Sequence, residues 1–137
     1  MLRNYLKIYP LSLLTLLVVV LLSVCPIGAP EIARNVPLAD KWTHMVMYFG
    51  ISAVVCYEHW RAHRPLPSAA SLLLCGLLFP AFVGGALELI QAYCTTYRSG
   101  EWLDFVADSI GAAIGLLLAL LLRSIARARL RSHTPNH

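Results

Sequence analysis

Four long apolar runs limit what this chain can fold into more than any other feature. A membrane-spanning helix needs about 17–25 mostly apolar residues. Windows at about 8–24, 43–60, 69–93 and 105–122 meet that length. Breakers separate them: Pro26, Pro30 and Pro37 after the first, Arg64-Pro65-Leu66-Pro67 after the second, and Arg98-Ser99-Gly100-Glu101 after the third. Composition agrees, because 58% of the 137 residues are apolar and only 13% are charged. Soluble domains average about 45–50% and about 25%. The expected fold is an all-α membrane protein, a four-transmembrane-helix bundle over residues 1–125 with a basic tail at 126–137. The first window has a rival reading. Arg3 and Lys7 ahead of an apolar stretch resemble a signal peptide, but Val24 before Cys25 is a poor match to a lipoprotein cleavage site, so an uncleaved span is preferred.

Charge sets the expected orientation. The N-terminus, the 61–68 connector and the tail hold eight Lys and Arg residues, against three (Arg34, Lys41, Arg98) in the other two connectors. Cationic loops stay on the cytoplasmic side, so both termini are expected there. Trp42, Tyr93, Tyr97 and Trp102 then gather at the outer boundary, and Tyr5, Tyr9, Tyr57 and Trp60 at the inner one, as interfacial aromatics do. Beside an apolar helix, the arginines of the tail point to a membrane surface rather than to nucleic acid. The four cysteines have no metal-ligand spacing. Cys56 and Cys75 are expected to pack, while Cys25 and Cys94 end spans on the same side, where a disulfide could form.

The acids are the unexpected residues. Six of the seven fall toward the outer side in this topology, and only Glu58 does not. Asp40, His44 and Tyr48 are spaced i, i+4, i+8, which places them on one helix face. Gly84, Glu88 and Gln91 share a face of the third span, and Asp104, Asp108, Gly111 and Gly115 share a face of the fourth. Small residues at such spacing let helices approach closely, so these polar stripes should meet one another and not lipid. The expected site is an outward-facing polar pocket formed by Asp40, Lys41, His44, Glu88, Gln91, Arg98, Asp104 and Asp108. Four of these are carboxylates and two are Lys or Arg, an imbalance that calls for protonation or a positive ligand.

In order and spacing, Asp40-Lys41-x-x-His44, Glu88-Leu89-Ile90-Gln91, Arg98-Ser99-Gly100-Glu101-x-x-Asp104 and Asp108-x-x-Gly111-Ala112-x-x-Gly115 resemble the VanZ-like family of small bacterial integral membrane proteins. The resemblance covers about residues 40–125. It departs at Asp108, where the family usually has asparagine. It implies a place in the cell envelope and a link to resistance against the glycopeptide teicoplanin.

Two functions follow as expectations. In the first, the pocket binds the head group of a membrane lipid, a lipid-linked envelope precursor or an amphiphilic antibiotic. The aromatic rim and Arg98 suit an anionic, amphipathic ligand. In the second, the protein is a membrane-embedded hydrolase or transferase. His44 with Asp40, Glu88 or Asp108 would supply acid–base chemistry, or the acids with His44 would hold a divalent metal. No HExxH motif, phosphate-binding glycine loop or second basic residue beside Arg98 supports the enzyme, and no cofactor is assigned. Transport through four spans without an inverted repeat would need a homo-oligomer.

Overall fold

The computed structural model describes residues 6–25, 37–63, 66–95 and 100–132. Among them the chain is all-helical, with no strand. Helix α1 is Pro10–Val24 and α2 is Ala39–Ala62. Helix α3 runs from Ala69 to Cys94, and α4 from Trp102 to Ser132. Two of the four, α3 and α4, are long and apolar enough to cross a membrane, while α1 is apolar but shorter. The fourth, α2, is long enough but carries Asp40, Lys41, His44 and Glu58.

Local chemistry explains each boundary. Pro10 opens α1, where its missing N–H costs nothing. Ser68 caps α3, its hydroxyl accepting the Ser71 N–H at 3.0 Å. Helix α2 has Asp40 in its first turn and His59 and Arg61 in its last, which complements the helix dipole. The first part of the basic tail expected at 126–137 is helical. Helix α4 continues to Ser132, 31 residues in all, because Ala, Leu and Arg favour helix whether or not lipid surrounds them. At about 1.5 Å per residue it is roughly 46 Å long, longer than the ~30 Å hydrocarbon layer of a bilayer. Near the start of its basic end, Arg123 Nε donates to the Pro67 carbonyl at 2.8 Å.

Helix α3 is not regular. Pro80 cannot donate to the carbonyl four residues back, which belongs to Gly76. The helix widens into a π turn over Leu74–Leu78, and the Phe79 N–H reaches Leu74 O. The freed Gly76 carbonyl accepts the Ser52 hydroxyl of α2 at 2.6 Å, and Ser52 Oγ also lies 3.0 Å from Ala112 O of α4. Ser52 therefore joins three helices at one point.

The most extensive helix pairing is α2 with α4. It is close because of the expected glycine stripe. A methyl group at Gly111 would collide with the Met45 carbonyl, and one at Gly115 would lie 2.7 Å from Ser52 Cβ. Apolar cores form on either side of this seam. Val19, Tyr48, Ile51, Val55 and Leu87 make up one, and Cys56, Leu72, Leu116 and Ala119 the other. Cys25 and Cys94 are exposed free thiols, so no disulfide joins them here.

Candidate functional site

The first turn of α2, the C-terminal part of α3 and the first turns of α4 meet at one end of the bundle. Their polar side chains are graded in exposure. Asp40 and Glu101 form a rim, each with a side chain about half exposed (50% and 51%), and Lys41 sits just inside it. Beneath them His44, Glu88, Asp104 and Asp108 are all buried, and Tyr48 is buried one turn below His44 on the same face of α2.

Lys41 ties the rim together. Its Nζ lies 2.5 Å from Asp104 Oδ1, 2.5 Å from Glu101 Oε2 and 3.4 Å from Asp40 Oδ2. The lysine stands just outside the expected span. Burial alone would lower its pKa, but hydrogen bonds to Asp104 and Glu101 and the charges of Asp104 and Asp40 raise it above the ordinary lysine value.

His44 links the rim to the floor. Its Nδ1 lies 2.9 Å from Asp108 Oδ1, a hydrogen bond that only the N–H can donate to an ionised carboxylate. Its Nε2 faces Asp104 Oδ2 at 3.8 Å and Asp40 Oδ1 at 3.9 Å. Gly84 makes room for Asp108, since a methyl group there would sit 2.7 Å from Asp108 Oδ2. Gly100 does the same for the start of α4. A side chain at that position would strike the Glu88 carbonyl and Ala92, and without one the Glu101 N–H reaches Glu88 Oε2 at 2.8 Å.

Six of the eight expected site residues therefore come together: Asp40, Lys41, His44, Glu88, Asp104 and Asp108. Gln91 does not join them. Its Nε2 donates to the Ser23 carbonyl of α1 at 2.7 Å, so it fastens α3 to α1. Arg98 lies outside the described residues. Glu101 was not expected among the site residues, although its place three residues before Asp104 in the first turn of α4 was visible. A cavity of about 100 Å³ lies elsewhere, between the other halves of α2 and α4, with Cys56, Trp60, Gly115 and Leu122 among its lining.

Among the described residues, five carboxylates (Asp40, Glu88, Glu101, Asp104 and Asp108) thus surround one ammonium and one imidazole. Two sets of three ligating side chains, Asp40–His44–Asp104 and His44–Glu88–Asp108, hold donor atoms within 4.8 Å of one another. Such an arrangement can hold a cation, or hold and move a proton at His44. No family profile, curated protein or solved structure matches the chain.

Proposed function

We propose that this chain is a VanZ-like integral membrane protein of the bacterial cytoplasmic membrane, with four spans and both termini cytoplasmic. In this reading its polar site opens to the outer side and holds the head group of an amphiphile, either a lipid-linked envelope precursor or a glycopeptide-type antibiotic. The span assignment draws support from the outward faces of the helices, which carry large exposed apolar side chains such as Leu14, Leu17, Phe82 and Leu117. A surface of this kind fits hydrocarbon and would aggregate in water. At the end that holds the site, Trp42, Tyr93 and Trp102 are exposed at 56%, 84% and 73%, as side chains at a lipid head-group boundary are.

One observation carries the functional reading: among the described residues, buried carboxylates outnumber the cations beside them, and they come from two helices, α3 and α4, packed against α2. Interhelical hydrogen bonds in membranes contribute about 0.6 kcal/mol on average. Each buried charge costs several kcal/mol unless it is compensated, and apolar replacements of buried ion pairs are often as stable or more so. Helix association alone would favour Leu at these positions. The cluster is therefore kept for what it holds, and its ligand must carry or bring positive charge.

The test is photo-crosslinking of a lipid-linked probe in membranes, compared between wild type and Asp40→Asn. Labelling should fall at least tenfold in the variant, and equal labelling would count against the site. The alternative, a hydrolase or transferase acting on a lipid-linked substrate, is favoured by the 2.9 Å contact of His44 with Asp108. Turnover by purified protein that disappears in His44→Ala would decide for it.

A further inference from the structure

Two buried thiols lie apart from the carboxylate cluster and take no part in it. Cys56 of α2 is 2% exposed. Cys75 stands in the π turn of α3 and packs against the core that Cys56 helps to form. Both are free thiols. They interact directly with each other, and Cys56 also reaches the Ser52 hydroxyl. The Cys75 S–H donates to the Leu72 carbonyl of its own helix at 3.7 Å. A free cysteine in a core is ordinarily a small apolar filler. Here two of them come from different helices and meet sulfur to sulfur, which filling space does not require.

The backbone around them is arranged for close approach. Gly76 follows Cys75, and a methyl group there would strike Cys56 Sγ and lie 3.5 Å from Ser52 Oγ. Ser52, one turn before Cys56, donates to the Gly76 carbonyl at 2.6 Å. Residues 52 and 56 of α2 thus grip residues 75 and 76 of α3. A disulfide needs Cα atoms within about 4.4–6.8 Å, whereas packed helix axes usually lie about 8–10 Å apart. A glycine in the seam beside one cysteine favours the shorter spacing. A route to the sulfur is also present. The cavity of about 100 Å³ between α2 and α4 reaches Cys56, and its wall is apolar and aromatic, with Ala53, Tyr57, Trp60 and Leu118. Such a wall suits a planar, lipid-soluble ring better than a hydrated oxidant.

We propose that Cys56 and Cys75 form a redox-active dithiol, oxidised to a disulfide by a lipid-soluble quinone that enters through this cavity. Both S–H bonds break and one S–S bond forms. Two electrons and two protons pass to the quinone, which leaves as the hydroquinone. The disulfide joins α2 to α3, and so fixes the helix of His44 to the helix of Glu88. The inference uses the membrane placement of these helices and is independent of what the carboxylate cluster binds.

The experiment uses the full chain in detergent micelles, with Cys25→Ser and Cys94→Ser to remove the two exposed thiols. The reduced protein is mixed with a short-chain benzoquinone whose ring is fully substituted and so forms no thioether. Quinone absorbance is followed, remaining thiols are blocked with maleimide in denaturant, and the chain is cut with trypsin. Arg61 lies between the two cysteines, so their peptides stay together only through a disulfide. One quinone should be consumed per chain, both thiols should be lost, and the joined peptides should part on reduction. Cys56→Ser and Cys75→Ser should each consume no more quinone than a chain without cysteine. Ala53→Leu, which narrows the cavity from a half-buried position, should slow oxidation at least tenfold, and Tyr57→Ala, which widens it, should not slow it. No quinone consumed by the reduced parent, or thiols lost without joined peptides, overturns the inference. Equal rates in Ala53→Leu and the parent overturn entry through the cavity.

Discussion

The two ends of α2 both bury carboxylates, and they treat them differently. At the C-terminal end Glu58 is 1% exposed and fully engaged. It accepts the Leu11 N–H at 2.9 Å, the Ser12 N–H at 2.8 Å and the Ser12 hydroxyl at 2.6 Å. Helix N-termini leave backbone N–H groups without partners and carry partial positive charge, so Glu58 caps α1 from another helix. Beside it the Tyr9 hydroxyl meets His59 Nδ1 at 3.0 Å. The N-terminal end has the opposite balance. Among the described residues its five acids meet one lysine and one histidine, and Lys41 alone bridges three of them, Asp40, Glu101 and Asp104. Glu58 is saturated by the donors of one helix end, whereas those three acids share a single ammonium.

Substitution should separate the two ends. The largest effect is expected at the C-terminal one. Glu58→Ala leaves three donors of α1 unpaired, and hydrogen bonds to charged groups contribute about 1.5–3 kcal/mol each. Thermal unfolding in detergent should show a loss of about 3 kcal/mol or more, with α1 detaching first. A loss below about 1 kcal/mol would erase the contrast between the ends. Ser52→Ala comes next. It frees the Gly76 carbonyl at the π turn, and about 1 kcal/mol should be lost in the same assay.

The smallest effect concerns pH. Lys41 has its pKa raised, so the stability it contributes is fully present below the unfolded lysine value of about 10.4 and is lost only as pH rises through the higher folded value. The stability difference between wild type and Lys41→Met should therefore stay constant from pH 8 to 10. A difference that shrinks over that interval would show that the rim ion pairs do not form.

Much of the helical layout was legible in the sequence, because length and hydrophobicity mark candidate spans without reference to neighbours. The convergence of Asp40, His44, Asp104 and Asp108 was legible too, since i, i+4 spacing fixes a face and glycines mark where backbones approach. Gln91 shows the limit of that reasoning. It shares a face with Glu88, but spacing does not say which neighbour that part of the face meets, and Gln91 meets α1. Glu58 stood out as the one acid on the wrong side. Its role was hidden because two of its three donors are backbone N–H groups 46 and 47 residues away, which no residue type announces. The full length of α4 was not visible for another reason: hydropathy reports where lipid would stop, whereas helix propensity continues through Arg127 and Leu130.

The central claim is that the outer acids are kept for a ligand and not for the fold. Glu88→Gln tests it most directly. Its amide oxygen can still accept the Glu101 N–H, as Glu88 Oε2 does at 2.8 Å, so only the charge is removed. Unfolding temperature in detergent and photolabelling by a lipid-linked probe should be measured on the same preparation. The account predicts stability within about 0.5 kcal/mol of wild type, the range of a substitution that breaks no structural feature, and labelling reduced at least tenfold. Full labelling together with a loss of stability would contradict it and would make the outer cluster, like Glu58, a fastening of the bundle.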